Sequence, residues 1–302
     1  MTGRTRIWTP GYPVSLAAML GPLRRGSGDP TYRIVEGRHW RGVRTPTGVA
    51  TVALAGRGAT VEAQAWGSGA EWVLDQVPAL LGGCDDAADF RPTDPVLVEG
   101  IRRHGVPRFG RTGLVMEALV PAVIEQKVTG QEAFAGFRNL VRRFGERAPG
   151  PGADLRLWVQ PAPGEIRRVP SWDWLRLQID PARSKAVVLA SRVADRLEGT
   201  IGLPGEEVER RLTSLPGIGE WTAAEVRQRA HGDPDAVSFG DYHVAKDIGW
   251  ALTGEPWDDN RLRHYLEPFR GHRQRVVALI YALGGHRPRR GPRLSPRSHL
   301  PA

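Results

Sequence analysis

A chain of 302 residues, 40% hydrophobic and 25% charged, has the composition of a globular protein and is long enough for one large domain or two to three small ones. Its 42 Lys and Arg against 33 Asp and Glu leave a formal charge of +9, which suits a polyanionic partner such as nucleic acid and fixes nothing about the fold. The single cysteine, Cys84, excludes an internal disulfide framework, a four-cysteine zinc site and a four-cysteine iron–sulfur cluster.

The N-terminal stretch MTGRTRIWTPGYPVSL lacks the continuous apolar run of a signal peptide, and no segment approaches the roughly 18 apolar residues of a membrane span. A soluble, cytoplasmic protein is expected. SLAAML reads as a short helix. YRIVEGRHWRGV, GVATVALAG and ATVEAQAWG alternate apolar and polar residues between glycine-rich turns, as strands of a small antiparallel sheet do. AEWVLDQVPALLGG has helical spacing and ends in glycines. The turn-rich CDDAADFRPTD reads as a boundary.

From about Asp94 the pattern is almost wholly helical: VLVEGIRRHG, LVMEALVPAVIEQKV and QEAFAGFRNLVRRFG. The Pro/Gly-rich APGPGADLRLWVQPAPGE reads as a loop. WDWLRLQ, SKAVVLASRVADRLEG, EEVERRLTSL, EWTAAEVRQRAHG, DYHVAKDIGWALTG, DNRLRHYLEPF and RQRVVALIYALGG then follow as helices. The last stretch carries Arg287, Arg289, Arg290, Arg293 and Arg297 with no acidic residue, and reads as an extended basic tail. The expected class is α+β, with a mixed subdomain over 1–92, a helical body over 93–286 and the tail over 287–302. No dimerisation heptad is visible, and a monomer is expected.

The most informative segment is EEVERRLTSLPGIGEWTAAEVRQRA. An amphipathic helix runs into Leu215-Pro216-Gly217-Ile218-Gly219, and a second helix begins at once, with Thr222 in its first turn. The two glycines permit a tight turn and close approach of a backbone. The opening turn of the second helix offers free amides and a positive dipole end, which suit a phosphate without side-chain charge. An ordinary helix–turn–helix corner is the alternative. After one further helix and the loop HGDPDAVSFG comes Asp241-Tyr242-His243-Val244, so the chain can double back and bring Asp241 to the glycine corner. Asp241 is equally placed to cap the helix it precedes.

Taken together, LPGIGEWTA and FGDYHV resemble the helix-hairpin-helix (HhH-GPD) DNA glycosylases, and most closely the branch of AlkA-type 3-methyladenine glycosylases. MLGPLRRGSGDP and VIEQKVTGQEA extend the resemblance over most of the chain. It implies a monofunctional enzyme that flips an alkylated purine (3-methyladenine, 7-methylguanine) out of double-stranded DNA and hydrolyses its bond to the sugar. Asp241 would be the carboxylate that stabilises the cationic sugar and acts on the attacking water. The alternatives are a glycosylase for hypoxanthine or oxidised purines, or a non-catalytic DNA-binding or damage-sensing protein.

Bifunctional members of the superfamily carry a lysine at the second position after PGxG; here that position is Trp221, which cannot be a nucleophile. The other lysines are Lys127, Lys185 and Lys246. Lys246 lies five residues beyond Asp241, turned from its face at about 3.6 residues per turn. Trp221, Tyr242 and Tyr281 are the expected base-stacking residues. Lys127 falls where the superfamily places the side chain that fills the gap left by the flipped nucleotide, with Gln126 beside it; AlkA-type proteins are apolar there. Arg24 and Arg25 are candidate DNA-backbone contacts or exposed cap residues. No redox cofactor or catalytic metal is implied. The resemblance does imply a structural Na+ or K+ on the backbone carbonyls of Thr213, Leu215 and Ile218.

Overall fold

The computed structural model describes residues 2–288; the basic tail from Arg289 onward, with Arg290, Arg293 and Arg297, lies outside the described residues. The first half is a five-stranded antiparallel sheet, β1 (Arg4–Trp8), β2 (Tyr32–Val35), β3 (Arg38–Thr45), β4 (Gly48–Arg57) and β5 (Thr60–Trp66), in the order β1-β5-β4-β3-β2. Alternation in β5 buries Val61, Ala63 and Ala65 against α1 (Leu16–Leu20), α2 (Ala70–Asp75) and α3 (Val77–Leu80), forming one core. The apolar run read as one helix, 70–83, divides at Gln76, because Pro78 starts a new turn where no amide is needed. Strand β1 gave no alternation signal: Ile7 is exposed, and the strand is held at the sheet edge by pairing with β5 and by Arg6–Asp75 at 3.0 Å.

The remainder is helical: α4 (Pro95–His104), α5 (Val115–Ile124), α6 (Gly130–Phe144), α7 (Pro151–Asp154), α8 (Pro163–Arg168), α9 (Ser171–Arg176), α10 (Pro181–Arg192), α11 (Ala194–Glu198), α12 (Gly205–Thr213), α13 (Glu220–Val226), α14 (Val244–Thr253), α15 (Asp259–Leu266) and α16 (Arg273–Ala282). The Pro/Gly-rich segment expected as a loop contains α7 and the strand β7 (Trp158–Val159), which pairs with β6 (Glu146–Arg147) just before the segment. Its buried Leu157 and Val159 pack under β3, where Gly42 lets the Trp158 carbonyl approach closely. The stretch 184–199 breaks at Val193 into α10 and α11.

Two helical cores flank the site. One is built on α5, α6, α10, α12 and α13, and the other on α4, α14, α15 and α16 together with Val237 and Phe239. A pair with buried side chains, Arg275 with Asp85, ties the second lobe to the segment after α3; each of the two terminal guanidinium nitrogens lies 2.8 Å from a carboxylate oxygen. Among the described residues no helix is long and apolar enough to cross a membrane.

After α13 the chain makes one π-helical turn, Arg227–His231. Burial there pushes the His231 imidazole down to about 4, and its Nδ1 has no partner. A group whose folded pKa is depressed contributes stability above its unfolded pKa and loses it as pH falls toward the folded one. The expected result is a loss of about 3 kcal/mol between roughly pH 6.5 and 4 that His231→Gln flattens, read by chemical denaturation across that range.

Candidate active site between the helical lobes

Helix α12 ends at Thr213, and the chain turns through Leu215–Gly219 before α13 starts. Ile218 N donates to Leu215 O at 3.0 Å and closes the turn. Gly217 sits at φ +87, and a Cβ there would lie 2.9 Å from Ala186 Cβ, so both conformation and space require glycine. Gly219 is the extended residue before α13, and a Cβ on it would meet nothing within 4 Å; this edge of the turn is open.

Asp241 lies in the other lobe. It does not open a helix as expected: α14 begins at Val244, because one carboxylate oxygen, Oδ1, takes the His243 amide at 2.7 Å and the Val244 amide at 3.2 Å in a capping turn. The second oxygen, Oδ2, accepts from Trp221 Nε1 at 3.3 Å. One residue thus caps its own helix and meets the first turn of the hairpin's second helix across the gap between lobes. The capping bonds fix the carboxylate's rotamer, leaving Oδ2 directed at Trp221.

Flanking contacts hold the two sides in register. Asp259 accepts the Gly240 amide at 2.8 Å, and Arg263 pairs with Glu220 at 2.6 Å while its guanidinium lies 3.7 Å from the centre of the Phe239 ring. Below them, Ser238 donates to Glu225, one turn along α13 from Trp221, at 2.6 Å. Neither Arg263 nor Ser238 carried a sequence signal, since each acts across a tertiary contact.

Gln126 and Lys127 are not on a helix: α5 ends at Ile124, and both residues belong to the turn before α6. Gln126 Nε2 donates to Gly217 O at 2.9 Å and to Thr222 Oγ1 at 2.8 Å, so it stitches this turn to the hairpin. Its amide is therefore occupied in holding the corner. Lys127 is exposed at the tip with φ +54, a conformation uncommon for a side-chain-bearing residue and one that projects it from the turn. Gln126→Leu is expected to lower stability by about 1 kcal/mol, since it removes the amide that meets Gly217 O and the buried Thr222 hydroxyl; denaturation curves check this.

The aromatic residues are disposed unequally. Tyr242 is 67% exposed, with Lys246 Nζ 3.6 Å from its ring centre and His243 edge-on at 5.0 Å. The Lys246 ammonium therefore sits on the Tyr242 ring. Tyr281 is half-buried in the second lobe and stacked on His286 at 4.7 Å. Arg25 is no surface contact: it is buried, 3.3 Å from Glu125, and burial lowers its pKa. Arg24 is half-buried, 5.9 Å from the Tyr32 ring.

No family model matches the chain. A Mycobacterium tuberculosis protein named as the bifunctional transcriptional activator/DNA repair enzyme AlkA is 29% identical over 164 residues, covering 54% of this chain and 31% of that protein. A Bacillus subtilis protein named as the DNA-3-methyladenine glycosylase YfjP is 25% identical over 133 residues, covering 42% of this chain and 44% of its own. This chain thus spans about a third of the length of the first relative and less than half of the second. The solved 3-methyladenine DNA glycosylase of Archaeoglobus fulgidus superposes with a TM-score of 0.78 at 19% identity, covering 93% of this chain and 98% of that one. The chain therefore has the fold of that solved glycosylase, and over about half of its length its sequence is similar to the two relatives.

Proposed function

We propose that this protein is a monofunctional DNA glycosylase of base excision repair that hydrolyses the N-glycosidic bond of flipped alkylated purines, principally 3-methyladenine and 7-methylguanine, and leaves an abasic site. The observation that carries the reading is the 3.3 Å contact from Trp221 Nε1 to Asp241 Oδ2, which puts a fixed carboxylate against the first turn after the glycine corner. Departure of the base develops positive charge on the sugar, and a carboxylate already oriented by three N–H donors stabilises that charge without reorganising. Asp241 would also orient the attacking water or take its proton. Alkylation at a ring nitrogen makes the base a good leaving group, so no general acid is assigned.

In this reading the open edge from Gly217 to Gly219 holds a DNA phosphate on backbone amides. Trp221 stacks on the flipped base, with Tyr242 and Tyr281 as further aromatic walls, and Lys127 fills the vacated stack through its methylenes. Thr213, Leu215 and Ile218 offer carbonyls for a Na+ or K+ at the corner. Leu215 O keeps a second lone pair beside its turn bond, and Thr213 ends α12, where helix carbonyls lack intrahelical partners, so the set fits a weakly bound monovalent ion. Such an ion would neutralise phosphate charge and take no part in bond cleavage.

Incubation with methylated genomic DNA is expected to release free methylpurine from wild-type protein, with duplex DNA as the partner and a monomer as the acting species. No release would remove the enzyme assignment. Borohydride trapping of a covalent protein–DNA adduct would remove the hydrolytic, lyase-free one. Release from a panel of defined lesion duplexes separates alkylated purines from hypoxanthine and oxidised guanine.

A further inference from the structure

The loop that carries Asp241 is tied to both lobes, and the tie to the first lobe runs through Ser238. The Phe239 amide donates to Val237 O at 2.9 Å, which makes a tight three-residue turn with Ser238 at its apex. Val237 and Phe239 are buried in the core of the second lobe. The Ser238 side chain meets the first lobe instead. Its hydroxyl donates to Glu225 Oε1 on α13 at 2.6 Å and accepts from Gln228 Nε2, in the π-helical turn that follows, at 2.9 Å.

The partner of that hydroxyl is itself fixed. Glu225 is 9% exposed, and its other oxygen, Oε2, pairs with Arg229 at 2.8 Å. Arg229 Nε in turn donates to Pro22 O at 3.1 Å, so the carboxylate is anchored from the N-terminal half of the chain. Gln228 Nε2 also donates to Ala236 O at 2.7 Å, which holds the strand of loop leading into Ser238.

On its other side, Ser238 supports Asp241 directly. The Asp241 amide donates to Ser238 O at 3.2 Å, closing a four-residue turn through Gly240 at φ +85. Trp221 and Glu225 stand four residues apart on α13 and therefore share one face of it. From that face two bonds reach the loop: Trp221 to Asp241 at 3.3 Å and Ser238 to Glu225 at 2.6 Å. The second is shorter, buried and made to an ionised acceptor, which makes it the stronger of the two. The Arg263–Glu220 pair also joins the lobes, but both its side chains are exposed and such pairs contribute little. The Gly240–Asp259 bond lies within the second lobe and sets no distance between the two.

We infer that Ser238 is a positioning residue for Asp241. Its hydroxyl, held by Glu225, sets the distance between the Asp241 carboxylate and the first turn of α13. The inference rests on the glycosylase reading and adds to it the residue that places the carboxylate. A misplacement of about 1 Å at a reacting centre costs up to about 10²-fold in rate, and loss of one tie among several costs about tenfold.

The test is single-turnover release of methylpurine at saturating protein, below the unfolding range of every variant. Ser238→Ala is expected to slow release about tenfold while its affinity for a duplex carrying a neutral tetrahydrofuran stays within about twofold of wild type. Ser238→Thr, which keeps the hydroxyl, recovers most of the rate. In an Asp241→Asn background Ser238→Ala changes the residual rate by less than about twofold, because the group it positions has lost its charge. Should Ser238→Ala fail to fold, Ser238→Cys, close in volume and a weaker donor, carries the same comparison. A wild-type rate in Ser238→Ala, a rate loss matched by lost affinity, or a tenfold loss that persists beside Asp241→Asn each overturns the inference. These outcomes leave the glycosylase reading standing; absence of release by the wild-type protein removes that reading and the inference with it.

Discussion

Asp241→Asn is expected to lower the single-turnover rate of methylpurine release by about 10²–10³-fold, the cost typical of removing a pre-oriented charge from a transition state. Its interest lies in what it leaves intact. Asparagine caps a helix about as well as aspartate, so its oxygen can keep the His243 and Val244 amides that Oδ1 now holds. The side-chain NH2 would then face Trp221 Nε1, replacing an acceptor by a donor and removing the negative charge where the sugar cation forms. Stability should move by no more than a few tenths of a kcal/mol. Asp241→Ala should show a similar rate loss together with about 1 kcal/mol of lost stability, because it also removes the cap. The pair of variants separates capping from chemistry: equal rates for wild type and asparagine would mean that Asp241 is only a cap.

The largest expected effect on stability belongs to Arg275. Its side chain is completely buried and that of Asp85 nearly so, and their two contacts join α16 to the segment following α3. Asp85 also accepts the Phe109 amide at 3.0 Å, so it is committed from a second side. Arg275→Met leaves Asp85 as an uncompensated charge in the interior, which costs about 3–5 kcal/mol and lowers the melting temperature by on the order of 10 °C in a chain of this size. Adding Asp85→Asn should recover a substantial part, since burying a neutral amide is far less costly than burying a lone carboxylate. Thermal and chemical denaturation of the two single variants and the double variant test this. A double variant no more stable than Arg275→Met would show that packing, rather than the stranded charge, sets the loss.

The parts of the site legible in the sequence are those whose cause is local. Gly217 and Gly219 in a short corner announce a tight turn, and Asp241 at one helix and one loop's distance announces a chain that returns. The α+β layout followed from two periodicities that change near Asp94. What escaped was long-range. Gln126 reaches Gly217 across 91 positions, Arg275 reaches Asp85 across 190, and nothing in either segment alone requires the other. Trp221 was read for its ring; its N–H toward Asp241 depends on the lobes closing on one another. Helix ends were misplaced where side chains compete with the backbone: Asp241 takes amides that would otherwise start α14 earlier, and Lys127 adopts a left-handed turn inside an apparently continuous pattern. The buried Arg25 looked like a surface cation because its partner, Glu125, lies in another segment.

The central claim is that the Asp241 carboxylate is poised to stabilise a cationic sugar held beside the glycine corner. The most direct measurement compares affinity for two duplexes, one carrying a positively charged pyrrolidine in place of the abasic sugar and the other the neutral tetrahydrofuran. Wild type is expected to prefer the charged analogue by about tenfold or more, as a transition-state mimic would require, and Asp241→Asn to lose the preference while still binding the neutral duplex. An equal preference in both proteins would contradict it.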